Sequence, residues 1–188
     1  RPVAASGSLS LKITLLGTGT SHGVPMIGCG CAVCRSPDPR DRRLRPSMLV
    51  EIGGDPPPSA VARSVRSILV DTSTDLRAQA LRHDVRRVDA ILYTHSHADH
   101  VMGLDDIRPY NSIQKGPIAC FGDAQTLADI AQMFAYIFHP ATPKGGGLPR
   151  LALFRVAGAF SIGGVEVVPV PLLHGRRLIL GYRFGAFA

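Results

Sequence analysis

The chain has 188 residues, 45% of them hydrophobic, a length that fits one domain, residues 1–188, with a sizeable core. No apolar run approaches the roughly 20 residues of a membrane span, and no signal peptide is visible, so we expect a cytoplasmic protein without membrane contact. The formal net charge of +7 favours an anionic substrate, although a solvated basic surface explains the scattered arginines about as well as nucleic-acid binding does.

The first half of the chain alternates predicted strands with turn-rich loops. Short apolar runs predict strands over 11–16, 48–52 and 67–70. A Gly-rich loop with His22 follows the first strand, and the proline-rich run 55–59 predicts a tight connection. A helix is predicted from Asp75 to about His83, with Ser73 or Thr74 as its cap.

The second half contains more strands and two helical segments. Strands are predicted over 90–93, 118–121, 151–156, 165–170 and 178–184. A short helix is expected after Gly103, and a longer one from about Ala124 to Tyr136, capped by Gly122-Asp123. The composition, with 20 glycines and 15 prolines, is typical of a turn-rich α/β or α+β protein.

The strand predicted over 90–93 leads into a run with four metal-ligating side chains, His95-Ser-His97-Ala-Asp99-His100. The period of two along a strand places His95 and His97 on one side, where both imidazoles can meet one cation. Asp99 and His100 follow where the chain must turn, and can reach a second cation. Neutral imidazole and carboxylate suit Zn²⁺, Mn²⁺ or Fe²⁺. The alternative is a solvated, His-rich loop.

Three of the four cysteines form a cluster in a Gly-rich loop, namely Cys29, Cys31 and Cys34. Because Cys120 is far away, a disulfide framework is not expected. Thiolates at this spacing match three quarters of a structural zinc site, for which the chain shows no obvious fourth ligand. A loop of reduced cysteines is the alternative. Cys120 lies in an apolar run and is predicted to be a buried core thiol.

The His-X-His-X-Asp-His run resembles the metal-binding signature of the metallo-β-lactamase superfamily. The resemblance implies a four-layer αββα sandwich with a one- or two-metal site at the edge of its sheets. His95 and His97 would bind the first metal, Asp99 and His100 the second. A hydroxide on the metal would be the nucleophile, because a bound metal lowers the pKa of water from about 16 to about 7. Asp99 is therefore expected to be essential for catalysis.

The resemblance implies roles for three more residues. His174, after the strand at 165–170, stands where the superfamily supplies a third histidine, and an open site usually has three protein ligands plus water. Asp71 ends a buried strand and would orient a metal-binding imidazole as part of the catalytic machinery. A helix N-cap is an equally good interpretation of Asp71. His22 lies in a loop that the superfamily places near the metals, so His22 is expected to be able to contact the substrate.

A narrower resemblance covers almost the whole chain. It is similar to the phosphodiesterase branch that includes the phosphoribosyl 1,2-cyclic phosphate phosphodiesterase of phosphonate degradation, through residues 15–19, 28–34, 45–47 and 95–109. In that branch the three cysteines bind a structural zinc with a histidine near the C-terminus. An aspartate bridges the two catalytic metals and a further histidine binds the second. This chain has no Asp, Glu or His after His174, so we expect it to be incomplete at its C-terminus.

The leading hypothesis is a metal-dependent hydrolase that cleaves a small cyclic phosphate ester with two Zn or Mn ions, and that carries one structural Zn. Asp106 and Arg108 either line the substrate pocket or, with Asp105, lock the ligand loop. Two alternatives stay open: a nuclease like the transfer-RNA 3′-processing enzyme, and a non-hydrolytic metal-binding protein like pyrroloquinoline-quinone biosynthesis protein B. Nucleic acid is the less favoured partner, and a homodimer is an open alternative.

Overall fold

The computed structural model describes residues 9–54, 66–143, 145 and 147–188. The β-strands of this part are β1 Leu9–Gly17, β2 Ser47–Gly54, β3 Arg66–Val70, β4 Ala90–Leu92, β5 Ile118–Gly122, β6 Leu151–Arg155, β7 Phe160–Ile162, β8 Val165–His174 and β9 Arg177–Phe184. Its α-helices are α1 Leu76–Arg82, α2 Ala98–Val101, α3 Arg108–Gln114, α4 Ala124–Met133 and α5 Ala135–Phe138. Short 3₁₀ helices cover Pro39–Asp41 and Leu104–Ile107. The connection predicted over 55–59 lies outside the described residues.

The strands form two sheets. The larger sheet has six strands in the order β1-β2-β3-β4-β5-β6, antiparallel from β1 to β3 and parallel from β3 to β6. The smaller sheet is antiparallel, in the order β7-β8-β9. Parallel strands need crossover connections, and helices between β3 and β6 provide them.

Each face of the larger sheet covers its own apolar cluster. One face packs against the helices, with Leu76, Leu104 and Ile130 among the buried side chains. The other face packs against the smaller sheet, and this second cluster joins Ile68 and Leu92 with β8 and β9. In the described part of the chain the layers are therefore helix, sheet and sheet. This arrangement agrees with the α/β architecture expected from the sequence.

The strand predictions are confirmed, with two differences. β7 was missed, because a strand of three residues carries too little pattern for a prediction. β8 continues to His174 instead of ending near residue 170, because residues 167–174 pair with residues 177–184 of β9 in a hairpin. His174 is thus the last residue of a strand and does not lie in a loop.

The predicted helices are present, but their ends differ from prediction. Asp75 occupies the N-cap position of α1, and neither Ser73 nor Thr74 does. The Ser73 hydroxyl accepts a hydrogen bond from the Asp75 amide instead. Asp123 caps α4 as expected, accepting from two backbone amides. The helix predicted to reach Tyr136 is interrupted at Phe134, and α5 follows. No helix among the described residues is long and apolar enough to cross a membrane.

Candidate metal centre

The centre begins where β4 ends. Buried apolar residues fill β4 and continue into Tyr93, after which the chain presents His95 and His97. His95 Nε2 and His97 Nδ1 lie 3.0 Å apart. Two nitrogen ligands of a tetrahedral Zn²⁺ at about 2.1 Å would be separated by about 3.4 Å. The sequence prediction that both imidazoles face one point agrees with this geometry.

The third imidazole comes from the other sheet. His174 ends β8, and one ring nitrogen from each of His95, His97 and His174 lies within 4.8 Å of the other two. His95 is buried, whereas His97 and His174 are exposed. The three imidazoles therefore surround one point, with the buried His95 on one side and the solvent-exposed His97 and His174 on the other.

A hydrogen-bond network below this point determines which ring nitrogens stay free. Asp71 Oδ2 accepts from the Thr94 hydroxyl at 2.7 Å and contacts His100 Nδ1 at 2.7 Å, while Oδ1 accepts from the Thr94 amide at 2.8 Å. Because the Thr94 hydroxyl donates to Asp71, it can only accept from His95 Nδ1, at 2.9 Å. In the neutral form of each ring, these contacts place the proton of His95 and His100 on Nδ1 and leave Nε2 free, as a metal ligand requires.

These contacts decide between the two interpretations of Asp71. Its side chain is almost fully buried and accepts from Thr94 and His100, while Asp75 occupies the N-cap position of α1. Asp71 is therefore not a helix cap, and its contacts fit the expected role of orienting an imidazole. It lies behind the histidines, so a direct part in bond breaking does not fit its location.

The environment shifts the pKa values of buried His95 and half-buried His100 in opposite directions. Burial is the main cause that lowers the pKa of His95 to about 4, and the positive charges of His100, His97, His174 and Arg177 act the same way. Burial also acts to lower the pKa of His100, but its hydrogen bond to Asp71 and the charges of Asp71 and Asp99 raise the pKa overall. His95 is therefore neutral at pH 7 and ready to bind a cation.

Asp99 and His100 form a second pair of ligating groups at the start of α2. Asp99 Oδ2 lies 3.4 Å from His100 Nε2, a separation that one cation can bridge. Among the described residues, these two are not part of a larger group that could hold a metal, whereas the three histidines are. The pair can supply two ligands of a second ion.

Sequence reasoning missed a polar cluster beside the centre. Arg177 donates to Ser96 Oγ at 2.8 Å and to Asp129 Oδ2 at 3.1 Å, and Ser96 also donates to Asp129. These residues are 81 and 48 positions away from Arg177 along the chain. No local motif signals such contacts, because they depend on how the two sheets and α4 pack.

The cysteine cluster is also brought together. The sulfur atoms of Cys29, Cys31 and Cys34 lie within 4.8 Å of one another. Cys31 Sγ accepts from the Cys34 amide and Cys34 Sγ from the Met26 amide, both at 3.4 Å. In the described part of the chain, this group contains these three residues and no fourth ligand. Cys120 is buried in the core, as predicted.

Cys31 should be the most readily alkylated thiol of the zinc-free protein. The Cys34 amide, followed by the Cys29 and Cys34 side chains, lowers the pKa of Cys31 to about 7, so its thiolate fraction rises through neutral pH. We expect the iodoacetamide rate to reach half its maximum near pH 7 and Zn²⁺ to suppress it. Burial raises the pKa of Cys120, which serves as the unreactive internal control. A Cys31 alkylation rate that reaches half its maximum only above pH 8.5 would contradict the lowered pKa.

The residues predicted to touch substrate are not gathered at the histidines. Asp106 and Arg108 line a groove of about 850 Å³ with residues of α3, α5 and the segment 147–151, and no described histidine lines it. Arg108 pairs with Asp105 at 2.7 Å, and Asp105 also accepts from Tyr136. These contacts fit the hypothesis that Arg108 and Asp105 lock the ligand loop better than the hypothesis that they line the substrate pocket. His22 is exposed in the first Gly-rich loop.

Comparison with known proteins defines the class. Residues 66–187 match the family described as the beta-lactamase superfamily domain. Together with the two-sheet fold and the His-X-His-X-Asp-His geometry, this shows that the chain belongs to the metallo-β-lactamase superfamily. Membership implies divalent metal ions at this centre.

Within the superfamily, the chain is similar to a solved structure described as a new diphosphatase from the PhnP family. The TM-score is 0.78 at 40% identity, over 94% of this chain and 63% of that one. It is 36% identical over 178 residues to an octanoyltransferase of Porphyromonas gingivalis, covering 95% of this chain but 34% of that protein. The Zn²⁺-bound PqqB of Methylobacterium extorquens has the same fold, with a TM-score of 0.60 at 19% identity over 90% of this chain and 57% of that one. The chain spans about a third of the length of this curated relative. The activity of the relative is therefore not transferred to this chain.

Proposed function

We propose that the protein is a metal-dependent phosphodiesterase acting on a small anionic substrate, with a cyclic phosphate ester as the substrate class. The observation that carries this proposal is the convergence of His95, His97 and His174 beside the Asp99–His100 pair. The similarity to a PhnP-family diphosphatase supports hydrolysis at phosphorus. The net charge of +7 favours an anionic substrate.

The donor set fits divalent cations. Three neutral imidazoles would hold the first ion, and Asp99 with His100 would supply ligands to the second, both Zn²⁺ or Mn²⁺. The cysteine cluster would hold a structural Zn²⁺. Such ions lower the pKa of water and neutralise charge on phosphate oxygens. The protein's own part includes orienting the rings of His95 and His100 so that Nε2 faces the ions, which the Asp71–Thr94 network does by contacting their Nδ1 atoms.

A transfer-RNA nuclease is the second candidate, favoured by one specific observation. Four arginines line a surface pocket of about 310 Å³ with His83, namely Arg40, Arg42, Arg43 and Arg82. A basic surface of this kind suits a phosphate backbone. A salt-sensitive gel shift with tRNA, together with cleavage of its 3′ end, would favour this candidate over the small substrate.

The expected homodimer and the expected cytoplasmic location of the protein stay predictions.

Hydrolysis of bis-p-nitrophenyl phosphate by the full-length protein tests the proposal. We expect turnover with added Zn²⁺ or Mn²⁺ and its loss on chelation. Asp99→Ala should lower kcat by about a hundredfold or more, because the second ion loses its anionic ligand and such an ion contributes several kcal/mol. Glu166→Ala is the matched control, since Glu166 is an exposed acid on β8 paired with Arg183.

Two results would refute the phosphodiesterase. One is robust turnover by metal-free protein or by Asp99→Ala. The other is tight metal binding without hydrolysis of any phosphodiester, which would favour the non-hydrolytic alternative like pyrroloquinoline-quinone biosynthesis protein B.

A further inference from the structure

The end of the β8–β9 hairpin that carries His174 extends beyond the core. From residue 171 to residue 179, every position of β8, β9 and the turn between them is exposed or half-buried. Leu173 and Leu178, which pair across the hairpin, are 77% and 60% exposed. His95, in contrast, is buried and follows a buried strand. Core packing therefore fixes His95, and β9 meets the ligand loop at Leu180, which is buried and whose amide donates to the Thr94 carbonyl at 3.0 Å. The hairpin end with His174 extends beyond that contact.

One side chain of the hairpin reaches back to the ligand loop. Arg177 pairs directly with His174 across the two strands. Its guanidinium donates to Ser96, which is buried and stands between His95 and His97 in sequence. The same nitrogen donates to Asp129 of α4. Arg177, which pairs with His174, is thus hydrogen-bonded to Ser96, which lies between His95 and His97 in the sequence.

The anchor on α4 is itself well held. Asp129 accepts from Ser96 and Arg177 through Oδ2 and from Gln125 through Oδ1, at 2.7 Å in the last case. Hydrogen bonds, first from Ser96 and then from Gln125, lower the pKa of Asp129, so its carboxylate is charged at neutral pH. This negative charge compensates the guanidinium, which would otherwise repel a cation bound near it.

We propose that Arg177 is a positioning residue that fastens the β8–β9 hairpin to Ser96 and Asp129 and thereby places His174 at the metal. This inference rests on the proposed metal site of the three histidines. An arginine suits the task, because its planar guanidinium fixes the direction of its donors, whereas a lysine ammonium does not. In its absence, the exposed hairpin would keep its own ladder of hydrogen bonds but lose its side-chain link to the ligand loop.

The test is Zn²⁺ titration of Arg177→Gln, followed by the ring ¹⁵N signals of the individual histidines. Arg176→Gln is the matched control, because Arg176 is the exposed neighbour with the same charge and makes no hydrogen bond or ion pair to the described residues. We expect Arg177→Gln to weaken Zn²⁺ binding about tenfold, as losses of ligand-orienting partners typically do. The His174 signal should respond at higher Zn²⁺ concentration than those of His95 and His97.

Asp129→Asn provides a second route if Arg177→Gln does not fold, and it should shift the His174 response in the same direction. The inference is overturned if Arg177→Gln or Asp129→Asn binds Zn²⁺ like Arg176→Gln. It is also overturned if all three histidine signals weaken together and the metal-free protein melts earlier, since that indicates general destabilisation. If the unsubstituted protein shows no Zn²⁺ response at the three histidines, the proposed function and this inference both fail.

Discussion

Replacement of Asp71 by asparagine is expected to weaken metal binding at the histidines about 10- to 100-fold and to lower the free energy of unfolding by about 1–3 kcal/mol. The carboxylate accepts from the Thr94 amide through one oxygen and from Thr94 and His100 through the other. An asparagine has a single acceptor oxygen. Its NH₂ group must therefore face either the Thr94 amide or the pair of donors on the other side.

The loss should extend to both proposed ions. If the NH₂ group faces Thr94 Oγ1 and His100, the threonine hydroxyl no longer donates to residue 71, and His100 Nδ1 must become an acceptor. The proton of His100 then moves to Nε2 and blocks its lone pair. Zn²⁺ affinity by competition with a chelator, and urea unfolding of the metal-free protein, measure the two effects.

Asp89→Asn is the matched control for Asp71→Asn. Asp89 is also a nearly buried carboxylate that accepts from a backbone amide, that of Ser67, but it precedes β4 at the end remote from the histidines. We expect the Asp89→Asn variant to lose stability but to keep its metal affinity. Equal metal affinity in Asp71→Asn and Asp89→Asn would remove the positioning role assigned to Asp71.

Gly103→Ala is expected to destabilise the fold by about 1–3 kcal/mol or more, as overpacking typically does. A Cβ at this position would lie 2.0 Å from the backbone oxygen of Ser73 and 2.8 Å from Leu76 Cβ. Neither atom is the end of a flexible side chain, so the backbone must move. Gly103 also donates its amide to Thr72, which fixes it against the segment that follows β3.

The measurement for Gly103→Ala is urea unfolding beside Gly158→Ala, at which an added Cβ meets open space. The control should stay within about 0.5 kcal/mol of the unsubstituted protein, as surface substitutions do. Because only Met102 separates Gly103 from α2, a displaced backbone should also disturb Asp99 and His100. Identical unfolding curves for the two variants would show that the close approach at Gly103 does not constrain the fold.

Local pattern was enough to predict the parts of the centre that lie close together in sequence. The period of two at the end of β4 predicts that His95 and His97 share a side, and their nitrogens lie 3.0 Å apart. Asp123 was identified as a cap because capping depends on the next three residues. The cysteine spacing likewise predicts a cluster, and the three sulfur atoms do lie together.

Contacts between distant segments were beyond local pattern. The place of His174 came from family resemblance, since nothing near it in sequence reports which sheet faces β4. The links of Arg177 to Ser96 and Asp129 join three separate segments, and each of these residues alone is an ordinary polar residue in the sequence. For Asp106 and Arg108 the sequence left a pocket role and a locking role open, and both residues line a groove that no described histidine lines.

The order of the strands has a consequence for how the protein is made. The six strands of the larger sheet are hydrogen-bonded in the order in which a ribosome synthesises them. Each strand can therefore pair with its predecessor as the chain emerges, and domains generally form in this direction during synthesis. His95 and His97 emerge with this sheet, whereas His174 belongs to the sheet that is translated after it. If the three imidazoles hold an ion as proposed, all three can bind it only after the second sheet has formed on the first.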